Sequence, residues 1–128
     1  MNHNINVNKA HSIYAVYLNL TEDKTVTVGK LGTFSFPAGT YIYIGSAKRN
    51  IEARLNRHLK IEKPLRWHFD YLRPYGEITK VETFDRTLGE CERFEAFKQD
   101  YDGVVVAKGF GSSDCSCATH LVYIGKTR

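Results

Sequence analysis

The segment that most constrains the fold is the junction within residues 41–60, where YIYIGSAK runs directly into RNIEARLNRHLK. Tyrosine and isoleucine alternate before the glycine, which is typical of a β-strand. After the glycine, apolar residues recur every four positions, which predicts a helix with one apolar stripe over residues 47–60. Ser46 is expected to cap this helix and Pro64 to end it. The junction therefore predicts a tyrosine-rich strand that turns directly into a basic helix.

The remaining patterns predict one α+β domain. Strands are predicted at residues 12–18, 24–29, 33–36, 40–44, 77–84, 104–106 and 121–124, and further helices at residues 65–72 and 87–100. Strands come first and mixed helices and strands follow, an order that indicates the α+β class. The polar, Asn-rich residues 1–11 are predicted to be a flexible tail, and residues 12–128 a single domain.

Charge and composition narrow the class of partner. The chain has a formal net charge of +4 and a pI near 9.0, which favours an anionic partner such as nucleic acid. Three cysteines, an odd number, do not suggest a disulfide framework. There is neither an apolar N-terminal signal region nor a spanning apolar run, so we expect a soluble, cytoplasmic protein with no membrane partner.

The tyrosines and arginines at the junction suit chemistry on a phosphodiester. Such a reaction needs a group that activates water and positive charge near the phosphate. Tyr43 lies just before the helix start, Arg54 lies within the helix, and Arg57 and His58 follow on the same side. Taken singly, a strand tyrosine is ordinarily a core-to-surface residue, and a basic helix face is ordinarily just solvated. The combination predicts a groove shared by phenol and guanidinium groups.

Three elements in order resemble a known family. SIY at residues 12–14, YIG at 43–45 and SAKRNIEARLNRH at 46–58 are similar to the GIY-YIG endonuclease superfamily. The closer resemblance is to the small stand-alone Uri-type branch of this superfamily, long filed as a domain of unknown function. Three further segments resemble that branch: RWHFDYL at residues 66–72, GECERF at 89–94 and GFGSSDCSCATHLVY at 109–123. The resemblance covers about residues 12–123. It implies a small central, mostly antiparallel sheet flanked by helices, and a metal-dependent endonuclease that acts on DNA, structure-directed and related to repair.

The resemblance also implies catalytic roles. Tyr14 would hydrogen-bond the water or phosphate, and Tyr43 would activate the attacking water. Arg54 would steady the scissile phosphate and the leaving group. His68 falls where many members place a histidine or tyrosine near the site. Glu92 would bind the single divalent metal ion, Mg²⁺ or Mn²⁺.

Residues near the assigned catalytic positions add several details. Glu90 lies two residues from Glu92 and points about 200° away around a helix, so only one of them can be the metal ligand in this way. The resemblance places Gly45 at a tight turn into the helix. Ser12 replaces the first glycine of the motif, without an expected effect on chemistry. The nucleic-acid contacts are expected from Gly45, Ser46, Lys48, Arg49, Arg57, His58 and Lys60.

A tyrosine base poses a physical difficulty. A phenol has a pKa near 10 and is a poor base at neutral pH. We expect Arg54, Lys48 and the metal ion to favour the phenolate of Tyr43 and so to lower its pKa.

Other features remain open. Cys115, Cys117 and His120, with Asp114, could form a zinc cluster, but a turn that supports the sheet end fits the cysteine spacing better. Cys91 is expected in the core. The alternative function is a non-catalytic nucleic-acid-binding module of a repair or processing complex. A third is a structural or protein-binding domain. No recognition domain is evident, so a protein partner could direct targeting.

Overall fold

A computed structural model describes residues 4–111 and 119–126, with side chains from residue 7 onward. The strands are β1 (Asn4–Asn6), β2 (Ile13–Leu20), β3 (Lys24–Val28), β4 (Gly32–Phe36), β5 (Gly39–Ser46), β6 (Glu77–Phe84) and β7 (Leu121–Tyr123). The helices are α1 (Ile51–Leu59), α2 (His68–Leu72) and α3 (Glu90–Asp100), and a 3-10 turn follows α2 at Arg73–Tyr75.

Within the described residues, five strands form one sheet in the order β1-β6-β2-β5-β7, and β3 and β4 form a separate hairpin. All pairs in the main sheet are antiparallel except β1 with β6. This confirms the predicted α+β class, with a central, mostly antiparallel sheet. No helix in the described ranges has the length and apolarity needed to cross a membrane.

Several element boundaries differ from the sequence prediction, and the three largest differences concern the tail, the start of α1 and the strand predicted at residues 104–106. Asn4–Asn6 pairs with β6, so part of the predicted tail belongs to the sheet. The helix predicted from residue 47 begins only at Ile51, because Asn50 adopts a left-handed conformation (φ 50°) and its side chain accepts a hydrogen bond from the Ala53 amide. Ser46, the predicted cap, ends β5 instead. The strand predicted at residues 104–106 is only a single bridge.

The main sheet is buried on both faces because its central strands carry apolar residues at odd and even positions. On β2, the even-numbered residues from Tyr14 to Leu18 pack with the apolar faces of α1 and α2. The odd-numbered residues from Ile13 to Tyr17 pack with Phe94 of α3. Side chains of a strand alternate between faces, so β2 separates two apolar clusters. Tyr43 of β5 lies on the same face as Tyr14.

The fully buried carboxylate of Asp70 ties α1 to α2. Arg57 donates from Nη1 to Oδ1 and lies 3.0 Å from Oδ2 through Nη2, and Lys63 Nζ lies 3.3 Å from Oδ1. The backbone amides of Arg66 and Trp67 donate to Oδ2 at 2.8 and 2.9 Å. Burial alone would raise the pKa of Asp70, but these donors outweigh it and lower the pKa to about 2. Asp70 therefore remains charged in the core.

Lys63 and one further cation, Arg73, lie at the C-terminal end of α1. Lys63 Nζ donates to the carbonyls of Arg57 and His58 at 2.9 and 3.1 Å. Arg73 donates to the Leu59 carbonyl through Nε and Nη2. The last carbonyls of a helix lack partners within it, so these side chains satisfy them and oppose the negative end of the helix dipole. Part of the positive charge of the chain is thus used inside the fold.

We predict that Asp70→Ala lowers the free energy of unfolding by about 3–5 kcal/mol, because Arg57 and Lys63 lose their shared buried partner. Chemical denaturation measures the change. Glu52→Ala is the matched control, since Glu52 and Lys9 form an exposed pair at 3.6 Å, and it should cost less than about 1 kcal/mol. Equal losses in the two variants would contradict a structural role for the Asp70 network.

Candidate functional site

A cavity of about 510 Å³ opens beside the end of β5, and strand residues form its floor. Tyr14 of β2 and Tyr43 of β5 line it, although their side chains are only 2% and 7% exposed. Their ring centroids are 6.4 Å apart, and the Tyr43 ring stacks on Phe69 at 4.9 Å. The two phenols predicted to share a site therefore do share one. Their rings are packed in the core, and the cavity is the opening they border.

Gly45 makes room for Tyr14. The two residues are directly opposite each other on paired strands. A Cβ atom on Gly45 would overlap the phenol oxygen and ring of Tyr14. The backbone is not in a left-handed conformation here, so the expected role in a tight turn is wrong. Gly45 is required for close approach of a side chain, not for backbone freedom.

His58 is buried and holds Tyr14. Its Nε2 lies 2.8 Å from Tyr14 Oη, and among the described residues its Nδ1 has no hydrogen-bond partner. Burial, assisted by Lys63, lowers the pKa of His58 to about 3, so the ring is neutral at pH 7. A buried N–H without an acceptor is rarer than an unpaired acceptor, which favours the tautomer with hydrogen on Nε2. The expected role of His58 as a surface contact to nucleic acid is therefore wrong.

Arg54 reaches the cavity, whereas Arg57 does not. Arg54 lines the cavity, and its Nη1 donates to the Ser46 carbonyl at 3.0 Å. Arg57 is on the same side of α1, but Asp70 and the Pro64 carbonyl take its guanidinium donors. Both guanidinium groups lie over the ring of Trp67, at 4.6 Å for Arg54 and 4.3 Å for Arg57. Arg57 is thus a structural residue and not the expected phosphate contact.

Both phenols of the cavity are held in the protonated form. Burial raises the pKa of Tyr14 and of Tyr43 above the usual value, and the nearby charge of Arg54 opposes this only in part. Arg54 therefore does not bring about the expected lowering of the Tyr43 pKa, because burial outweighs its charge. At neutral pH the two hydroxyls are hydrogen-bond donors facing the cavity.

Glu90, not Glu92, faces the cavity. Glu90 lines it together with His120. Glu92 is exposed, and its Oε1 accepts a hydrogen bond from the Gly89 amide at 2.9 Å, which caps the start of α3. The two glutamates are on opposite sides of the helix, as the geometry of a two-residue step requires. Glu90, and not the predicted Glu92, is therefore the glutamate of α3 that borders the cavity, and which of them binds a metal ion stays a prediction.

The described lining of the cavity offers few ligands for a metal ion. Glu90 is its single described carboxylate, and Mg²⁺ is commonly held by one or two carboxylates with waters and substrate phosphates. Across the described ranges, no three His, Cys, Asp or Glu side chains are grouped as a metal site. Asp114, Cys115 and Cys117 lie outside the described residues, so the zinc alternative stays a prediction. Cys91 is half-buried and disulfide-bonded, unlike the core thiol expected.

The other predicted residues divide between the cavity and its surroundings. Lys48 lines the cavity, whereas Arg49 and Lys60 are exposed and do not border it. His68 also stands back from the cavity: its Nδ1 accepts from the Gly111 amide at 2.8 Å, and this holds Gly111 beside Tyr43. A left-handed φ of 72° and the nearby Tyr43 ring both favour glycine at 111.

Sequence reasoning did not assign Trp67, Gly111 or His120 to the cavity, although all three line it. Trp67 and His120 lie in segments already noted for the resemblance, and that was the signal available. The sequence could not show where these two residues lie, because their positions depend on how distant loops pack against β5.

Taken together, the fold and site define a small α+β domain with two protonated phenols, a guanidinium and a carboxylate around one cavity. The chain belongs to the family described as "Domain of unknown function DUF123", whose model matches residues 13–128. No curated protein and no solved structure gives a match.

We predict that Gly45→Ala lowers the free energy of unfolding by about 1–3 kcal/mol, because the added methyl group collides with Tyr14. The same substitution in a Tyr14→Leu background should cost at least about 1 kcal/mol less, since the collision is removed. Chemical denaturation of the four proteins of this cycle measures the coupling. Equal costs in both backgrounds would show that Gly45 is needed for another reason.

We predict that stability falls as the pH decreases from about 6.5 to about 3. His58 has a lowered pKa in the folded state, so the unfolded chain takes up the proton first, and acid favours unfolding by up to about 1.4 kcal/mol per pH unit for this proton. Denaturation at a series of pH values should give a smaller slope for His58→Gln than for wild type. An unchanged slope between pH 6.5 and pH 4 would contradict a buried neutral His58.

Proposed function

We propose that this protein is a metal-dependent endonuclease that hydrolyses phosphodiester bonds in DNA, structure-directed and related to repair. The observation that carries the proposal is the convergence of Tyr14, Tyr43, Arg54 and Glu90 on one cavity. Phosphodiester hydrolysis needs a proton acceptor, a cationic group for the phosphate and a carboxylate for a metal ion. The GIY-YIG resemblance implies catalytic roles for three of these four residues, Tyr14, Tyr43 and Arg54, although it exchanges the roles that the surroundings of the two tyrosines favour.

The two tyrosines have different surroundings, which suits different roles. The oxygen of Tyr14 is within hydrogen-bond distance of His58, and a hydrogen bond from Arg54 also favours its phenolate. For Tyr43, the nearby charges of Tyr14 and Glu90 add to the effect of burial and disfavour the phenolate. Of the two phenols, Tyr14 is therefore the one that would more readily accept a proton from the attacking water, once an entering ligand or metal ion has promoted the loss of its own proton to solvent. Tyr43, still protonated, donates a hydrogen bond that orients the water or a phosphate oxygen.

Arg54 and Glu90 complete the proposed site. Arg54 is anchored at the Ser46 carbonyl, which leaves its other donors for a phosphate oxygen. Glu90 would hold Mg²⁺ or Mn²⁺, and the bound ion would stabilise negative charge on the phosphoryl group. The charge of the metal ion would also oppose the effect of burial on the pKa of the two phenols and so favour a phenolate.

DNA would approach over the exposed basic residues before α1. Lys48 lines the cavity, and Arg49, the next residue in the chain, is exposed on the surface. Affinity should therefore fall steeply with salt, and most of it should be indifferent to sequence. A protein partner would supply targeting, and the proposed location is the cytoplasm.

Nicking of supercoiled plasmid tests the proposal. With Mg²⁺ or Mn²⁺ we expect nicking that EDTA abolishes, and a loss of about 100-fold or more in Glu90→Gln, because the ion loses its carboxylate. Glu92→Gln is the matched control: it changes the same residue type two positions away on the same helix, and it should retain activity.

The outcomes separate the candidate functions. Loss of nicking in Glu92→Gln with activity kept in Glu90→Gln would contradict the role given to Glu90. Salt-sensitive DNA binding by the wild type without nicking in either metal would favour the non-catalytic binding module. Failure to bind DNA at any salt concentration would favour a structural or protein-binding domain.

A further inference from the structure

Trp67 is the sole tryptophan of the chain, and it borders the cavity next to Arg54. The guanidinium carbon of Arg54 lies 4.6 Å from the centre of its ring, close enough for a cation–π interaction. The Arg54 side chain also donates to the Ser46 carbonyl at 3.0 Å and hydrogen-bonds Tyr14. The indole is therefore one of the groups that hold this guanidinium in place.

Contacts with neighbouring residues hold Trp67 in place. Its backbone amide donates to Asp70 Oδ2 at 2.9 Å, and the ring also contacts the guanidinium of Arg57 at 4.3 Å. Arg57 cannot move away, because it pairs with both oxygens of Asp70. The Trp67 ring also packs against the His58 imidazole, with the two ring centroids 5.4 Å apart. Asp70 thus sets the position of Trp67 through the backbone and through Arg57.

We propose that Trp67 is a positioning residue, which holds the Arg54 guanidinium over the cavity in the geometry that the reaction requires. The inference deepens the proposed nuclease function and rests on it for the catalytic consequence. Trp67 acts through Arg54 and does not itself bind DNA. A displacement of about 1 Å in a catalytic group can cost about 100-fold in rate, so loss of this support reduces catalysis while binding is largely kept.

Fluorinated tryptophan tests the interaction without changing the shape of the core. Because Trp67 is the sole tryptophan, biosynthetic incorporation alters only this ring. Fluorine withdraws electron density from the ring and weakens its attraction for a cation. We expect hydrogen exchange at Arg54 Nε, measured by NMR, to accelerate stepwise with the number of fluorine atoms. Arg73, which donates to the Leu59 carbonyl away from Trp67, is the internal control.

Two substitutions supply the catalytic test. Trp67→Leu should slow single-turnover cleavage by about 10-fold or more, with DNA affinity in EDTA changed by less than about 3-fold. Trp67→Phe keeps a ring and should restore most of the rate. Tyr75→Leu, which removes an exposed aromatic residue outside the cavity, is the matched control.

Each result decides the proposal. Arg54 exchange that is unchanged by fluorination would overturn it, whether or not the protein cleaves DNA. Affinity that falls in parallel with the rate in Trp67→Leu would also overturn it, since that would indicate direct contact with DNA. Absence of cleavage by the wild type would defeat the nuclease function alone, because the exchange measurement still tests the hold on Arg54.

Discussion

The buried carboxylate of Asp70 is the interaction on which the rest of the site depends. A charge fully removed from water persists only if its oxygens are paired, and here Arg57, Lys63 and two backbone amides pair them. Since these donors come from α1 and from the segment before α2, the carboxylate fixes one against the other. It also fixes the loop that carries Trp67.

The same packing that orders the cavity sets its chemical state. The rings of Tyr14, Tyr43 and His58 are within contact distance of one another and are almost completely buried. Burial disfavours charge, so both tyrosines keep their protons and the histidine remains neutral. Any activated phenolate must therefore be produced by a ligand or a metal ion that enters the cavity.

The net positive charge of the chain does not translate directly into a binding surface. Arg57, Lys63 and Arg73 pair with a buried carboxylate or with helix carbonyls, and they are unavailable to an anionic partner. A helical pattern shows that such residues share a side of the helix, but it does not show what that side meets. The predicted phosphate contacts divide for this reason: Lys48 lines the cavity, whereas Asp70 takes the guanidinium of Arg57.

The resemblance implied that Tyr14 joins the site, and the sequence by itself determined the α+β class, most element positions and the position of Tyr43 and Arg54 near one junction. These depend on local periodicity and on a short strand-to-helix connection, which adjacent residues specify. Only the tertiary structure decided which of Glu90 and Glu92 faces the cavity. It also buried the side chains of His58 and Asp70 and brought Trp67 to the cavity. The rotation of a helix about its axis, and the path of a loop, are set by packing against distant residues, which no short stretch of sequence contains.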